Sequence, residues 1–191
     1  MSEIFNPDIP TPTDCLDLMT AYGMLPNIRE HSLTVAAVAR WLGQALHDAG
    51  VILDLELIEA GALLHDLGKT ACLGTDRNHA DWGARLVEDL GLPEVAAIVR
   101  EHVVLAPAPP PRPIREAEVV HYADKRVLHV GIVSVAERFA DLQVRYGRTP
   151  EARRRLRVLE ADTLALEWQI FADLPVRPDD ALTINHCWRE S

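Results

Sequence analysis

The chain has 191 residues, 48% of them hydrophobic, and a formal net charge of −10. That suits one domain with a real core, or one domain with an extension. The acidic balance argues against binding a nucleic-acid polymer, which needs net basic surface, and the apolar runs fall far short of a membrane span. A small anionic substrate remains compatible with this charge, because a metal ion reverses the local sign. The opening MSEIFNPDIPTPTD has no basic stretch followed by an apolar one, so no signal peptide is expected. Three scattered cysteines (Cys15, Cys72 and Cys187) argue against a disulfide framework and for the reducing cytoplasm.

Apolar residues recur at helical spacing along the chain, and sustained strand alternation or Asn-Gly and Asp-Gly hairpin signals are absent. The fold class expected is all-α, a bundle of about seven or eight helices. A short helix runs roughly from Asp14 to Gly23. The segment PNIREHSLTVAAVARWLGQALHDAG forms a long one, with Asn27 as N-cap, Glu30 completing a capping box, and Gly50 as the stop. A third runs from Leu53 to Leu67 and ends at Gly68, and the stretch Lys69–Asn78 is a loop. A fourth follows Asn78 and ends at Gly91. Pro93 suits the first turn of a fifth, which ends near Leu105. APAPPPRPIR, residues 106–115, is a stiff extended connector. A sixth helix covers Glu116 to His129, a seventh Ile132 to Tyr146, and the last Pro150 to Leu174. Its RRRLR run is expected to be a solvated or ion-paired face, with a phosphate contact or a contact between two copies as the lesser readings.

Several polar residues fall on inward stripes. His31 shares a face with Val35, Val38 and Leu42; His79 with Trp82, Gly83 and Leu86; His102 with Val95, Ile98 and Val99; Asp124 with Ala117, Val120, Val127 and Leu128. One inward histidine is usually a core residue satisfied by one hydrogen bond. A buried, unpartnered carboxylate costs several kcal/mol. Four histidines and two aspartates, His31, His65, His79, His102, Asp66 and Asp124, sit on five such helices, and a shared metal site explains all six at once. His65 and Asp66 are adjacent, so their side chains diverge by about 100°. They can straddle an ion beside the helix end, or one can reach a second ion. Gly68 frees the following loop to bring Lys69 to the mouth of the site and lets a substrate approach the backbone.

The order His31, then His65-Asp66, then Asp124 resembles the H…HD…D signature of the HD superfamily of metal-dependent phosphohydrolases. The stretch HDLGK is similar to its HDIG or HDxGK motif, with Leu67 in place of Ile. His79 and His102, lying between the HD pair and the last Asp, resemble the two-metal branch. That branch includes bacterial diadenosine-tetraphosphate hydrolases and the HD-GYP phosphodiesterases of cyclic-di-GMP. The chain has neither an adjacent His-His pair before Asp124 nor a GYP stretch, so cyclic-di-GMP is not the expected substrate. The resemblance covers about residues 27–146, and the tail from Pro150 matches nothing assignable. Residues 1–26 are accordingly an N-terminal segment, 27–146 the HD domain, and 147–191 a helical extension packed on it.

The resemblance implies two divalent transition-metal ions, for which Fe, Mn, Zn, Ni and Co all suit. His31, His65, Asp66 and Asp124 would hold one, and His79 and His102 the other, with Asp66 bridging. It implies a phosphomonoesterase or phosphodiesterase acting on a nucleotide or another small phosphorylated metabolite through a metal-activated water. Asp66 and Lys69 are the catalytic candidates; Lys69, Lys125 and Arg126 are the phosphate-binding candidates. Lys69 and Lys125 are the chain's two lysines, and both adjoin expected ligands. A surface ion pair suits Lys125 and Arg126 equally well. His121 and His129 lie near Asp124 by helical spacing, as ligands, as partners of ligands or as surface residues; His47 and His186 are structural or surface residues. The same ligand set also serves HD-fold di-iron oxygenases, and a non-catalytic signalling module is the third reading. A homodimer fits the chain, and no membrane or nucleic-acid partner is expected.

Overall fold

The computed structural model describes residues 9–107 and 113–184. The middle of the proline connector, His186 and Cys187 lie outside these residues. The described chain is helical: α1 (Pro12–Ala21), α2 (Pro26–Asp48), α3 (Leu55–Leu64), α4 (Lys69–Cys72), α5 (His79–Asp89), α6 (Pro93–Glu101), α7 (Glu116–Lys125), α8 (Val135–Tyr146) and α9 (Pro150–Phe171). A 3₁₀ turn covers Pro178–Thr183. None of the described helices is long and apolar enough to cross a membrane.

Local chemistry explains most of the boundaries. Thr11 and Ser134 each open a helix with a capping box closed by Asp14 and Glu137. Asp54, Asn78 and Thr149 cap α3, α5 and α9 through their side-chain oxygens. Each such cap stabilises its helix by about 1 kcal/mol. The start of α2 departs from expectation. Pro26 occupies its first turn, Leu25 is the N-cap, and no side chain caps it, so Asn27 and Glu30 lie within the helix. Proline at the first position removes one N–H that would otherwise lack an intrahelical partner, and its fixed φ is pre-organised for the helix.

α2 and α3 pack on each other and on α7, while α5 pairs with α6 and α6 lies against α3 and α7. Val35, Val38 and Leu42 of α2 meet a core that includes Ile58, Leu63, Val95, Val99 and Val120. α8 and α9 pack together, and α9 returns to α7, where Glu167 and Phe171 meet Tyr122.

Three further expectations need correction. The third helix stops at Leu64, and His65–Gly68 form a turn before the short helix α4, where a loop was expected. The fifth helix ends at Glu101, so His102 lies just beyond it. The sixth helix ends at Lys125, and a small antiparallel hairpin follows, β1 (Val127–Leu128) with β2 (Gly131–Ile132). The sequence contains no Asn-Gly or Asp-Gly at this turn. His129 instead takes the left-handed backbone, with φ 56°, a conformation in which His is enriched several-fold.

Candidate metal centre

Two histidines reach the centre by the same local device. His65 directly follows α3 and directs Nδ1 to the Ala62 carbonyl at 2.7 Å. His102 directly follows α6 and directs Nδ1 to the Val99 carbonyl at 2.6 Å. Each ring thereby satisfies a carbonyl that the ending helix leaves free. The same bond places a proton on Nδ1 and turns Nε2 inward, the arrangement a metal-ligating histidine requires. His31 achieves this across the fold: its Nδ1 donates to the carbonyl of His129 at 2.9 Å. The left-handed residue of the hairpin thus orients a ring on α2.

The inward nitrogens surround two carboxylates. His31 Nε2 lies 3.0 Å from Asp124 Oδ1, and His65 Nε2 lies 3.9 Å from the same oxygen. Asp66 faces both ways. Its Oδ2 is 3.4 Å from His65 Nε2, while its Oδ1 is 3.5 Å from His79 Nε2 and 3.6 Å from His102 Nε2. The two Nε2 atoms of His79 and His102 are 3.2 Å apart. Possible ligand atoms converge in two buried triplets, His31/His65/Asp124 and His65/Asp66/His102. All six residues expected from the sequence come together. His79 is the most open of them, half-buried at the first position of α5.

Two buried atoms here, His65 Nε2 and Asp66 Oδ1, have no hydrogen-bond partner. Buried polar atoms are nearly always satisfied, so orphans need an explanation. Both point into a cluster of imidazole nitrogens and carboxylate oxygens, the donor set of borderline divalent ions. A divalent cation fits this site on chemistry and on charge.

The electrostatics agree. Burial alone would raise the carboxyl of Asp66, but His65, His102 and Lys69 outweigh it and hold that carboxyl well below the usual range. Burial opposes ionisation of Asp124 too, and Lys125, His31 and His65 overcome it. The charged form of His65 is disfavoured by burial, yet the two aspartates raise its pKa on balance. A proton there offsets the carboxylates when no cation does. Burial lowers His102, and it lowers His79 to about 4, so both stay neutral and able to ligate.

The remaining expected residues separate. Lys69 Nζ is 2.6 Å from Asp66 Oδ2, and its side chain is partly open to solvent. Lys125 is buried; its Nζ donates to Asp124 Oδ2 at 2.6 Å and to the His102 carbonyl at 3.1 Å. Arg126 is placed elsewhere: 1% exposed, it donates to the Tyr122 hydroxyl and to the Val133 carbonyl, each at 2.6 Å. It is not among the residues lining the cavities at the centre. Neither Lys125 nor Arg126 forms a surface ion pair. His121 is buried behind the centre with Nδ1 on the His102 carbonyl at 2.9 Å, and burial lowers its pKa to about 3. His47 is exposed near the end of α2.

A cavity of about 380 Å³ opens over the centre, lined by Asp66, Lys69, His79, His102, Asp124 and Lys125 together with Arg77, Arg138 and Tyr146. Sequence reasoning missed Arg138. It lies on α8 with Nη2 3.8 Å from Asp124 Oδ1, and its buried Nε has no partner. Gly68 also plays a different part from the one expected. A Cβ there would meet the backbone of Gly83 at 2.6 Å and the carbonyl of His79 at 3.0 Å. The close approach belongs to α5, and it is what brings His79 in.

The profile of the HD domain family matches residues 28–153. Among curated proteins, one from Methanocaldococcus jannaschii described only as uncharacterized is 28% identical over 146 residues, covering 70% of this chain and 85% of that protein. A tRNA (cytidine(56)-2′-O)-methyltransferase of Thermoplasma volcanium is 33% identical over half of this chain but 26% of its own length. Ribonuclease Y of Treponema denticola is 37% identical over 44% of this chain and 15% of its own length. The chain therefore resembles one segment of these two longer proteins. No solved structure matches it.

Proposed function

The chain belongs to the HD domain family, and on that premise we propose that it is a metal-dependent phosphohydrolase of small phosphate esters or anhydrides, nucleotides among them, with a two-ion centre. The observation that carries this reading is the double-facing carboxylate of Asp66. Its two oxygens address two separate sets of imidazole nitrogens, with His65 on one side and His79 and His102 on the other. His31, His65 and Asp124 would complete one position, and His79 and His102 the other. Divalent ions held there would acidify a water and draw charge from the phosphoryl oxygens.

The chain's own groups do the rest. Lys69 and Arg138 border the cavity beside the two aspartates and offer cationic donors to a phosphoryl group. Lys125 binds Asp124 and the His102 carbonyl, so it holds ligands in place and has no need to touch substrate. The similarity to ribonuclease Y supports attack at phosphorus. The cavity's volume of about 380 Å³ and the charge of −10 favour a small substrate over a polymer.

The test is Asp66→Ala. Wild-type protein should carry up to two equivalents of transition metal and release phosphate from a panel of nucleotides and simple esters under anaerobic conditions. The variant should lose both metal equivalents and the activity. Retention of two tightly held ions by elemental analysis refutes the bridging scheme. Oxygen consumption on substrate in aerated buffer, with no phosphate release under anaerobic conditions, would point to the di-iron oxygenase.

A further inference from the structure

The space around the centre has two chambers of opposite chemistry. The smaller, about 120 Å³, lies on the His31 side and is lined by Asn27, His129 and Arg145. The larger lies on the side of His79 and His102, and away from those ligands its wall is mostly apolar, with Leu73, Val103, Leu142, Leu156 and Leu159 interrupted by Arg77, Cys72 and Tyr146. Lys69, Arg138, Leu142 and Tyr146 border both chambers. The cations that suit a phosphoryl group therefore stand at the boundary, and the unpartnered Nε of Arg138 is among them.

We propose that the substrate is a phosphate ester with a large apolar or aromatic group, and that this group occupies the larger chamber against Leu156 and Leu159. The proposal rests on the phosphohydrolase reading for its phosphoryl half only. With the phosphoryl group at Lys69 and Arg138, its ester substituent has two ways to go. The small chamber is polar and offers donors, so it suits further anionic oxygen. The large chamber offers few hydrogen-bond partners along its outer wall, so a polyhydroxylated group would lose solvation there without replacement. An apolar group would instead cover leucine surface that water now reaches, and affinity should rise with the area covered. Leu156 and Leu159 belong to α9 and lie beyond residue 153, where the family match ends. Substrate choice is thus set by a part of the chain outside the shared domain, and by two leucines that flank Arg157 in the basic run and just after it.

Calorimetric titration of the Mn(II)-loaded full chain with three probes tests this: methylphosphonate, 1-naphthylmethylphosphonate and 1-naphthylmethanol. The naphthyl phosphonate should bind at least roughly tenfold more tightly than methylphosphonate, about one decade per 1.4 kcal/mol of buried apolar surface. Leu159→Gln and, separately, Leu156→Gln should each erase most of that gain and leave methylphosphonate affinity unchanged, with circular dichroism checking the fold. Equal binding of the two phosphonates overturns the proposal, as does a gain that survives both substitutions in folded protein. Should neither phosphonate bind while naphthylmethanol does so in a Leu159-dependent way, the apolar chamber stands and the phosphohydrolase reading falls. Binding of none of the three overturns both.

Discussion

Lys69 and Lys125 carry the same charge and have different work to do. Lys125 is enclosed, with its ammonium committed to Asp124 and the His102 carbonyl. Lys69 touches Asp66 but keeps part of its side chain in the open cavity. Lys69→Ala should accordingly leave the metal content near wild type and lower turnover roughly a hundredfold, the usual cost of one lost donor to a charged transition state. Elemental analysis beside steady-state kinetics separates the two, and an unchanged rate would make Lys69 a bystander. Six inward polar residues were legible in the sequence: His31, His79, His102 and Asp124 because the faces on which they were placed are otherwise apolar, and His65 with Asp66 because the pair closes an apolar run. Arg138 was not, since an arginine on an amphipathic helix looks the same whether it meets solvent or a cavity. Arg126 deceived for the converse reason. Its neighbours in sequence are site residues, but its side chain joins Tyr122 and Glu167 in linking α7 to α9.

At the level of elements, the crossing of α5 over the turn after α3 decides where His79 stands. The backbones of Gly68 and Gly83 approach so closely that a methyl group on Gly68 has no room. Gly68→Ala should push α5 outward, destabilise the fold by about 1–3 kcal/mol, and weaken the metal position that uses His79 more than the one that uses His31. Urea unfolding together with metal titration would read both effects, and equal weakening of the two positions would count against this account. The positions of α1, α2, α5 and α9 were legible from helical periodicity bounded by proline, glycine or asparagine, although the cap expected for α2 was not the one used. The helix ends that carry His65 and His102 were drawn too long. The apolar period continues through both residues, and periodicity carries no sign that the ring, three residues on, takes the carbonyl in place of the next backbone N–H.

For the molecule as a whole, the cluster of two carboxylates and four imidazoles holds converging ligand atoms, two of them without a partner, that a cation would satisfy, so metal should bind the folded chain far better than the unfolded one. The melting temperature should rise on adding Mn(II) or Zn(II) to metal-stripped protein and fall again with chelator. A melting temperature indifferent to metal would contradict the centre. A second whole-molecule effect lies at high pH. Burial, then the charge of Asp14, raises the Cys15 thiol from 9.0 to about 12. Burial also raises the Tyr122 hydroxyl. The unfolded chain ionises first, so the stability that Cys15 confers is whole below about pH 9 and drains away towards about pH 12, with Tyr122 adding to the loss at still higher pH. Unfolding free energy should fall across that window, and Cys15→Ala should flatten the slope. An unaltered slope would mean that Cys15 does not titrate as its burial implies.

The scarcity of lysine has a practical consequence. Lys69 and Lys125 are the chain's two lysines, both border the large cavity, and Lys69 is the more open. Among side-chain amines, the one that succinimidyl dyes, amine-coupled sensor chips and lysine cross-linkers would meet first is therefore Lys69, at the cavity's own threshold. Immobilisation through side-chain amines would block the very opening it was meant to present. Protection of Lys69 from acylation would, for the same reason, report occupancy of the cavity before any substrate is known.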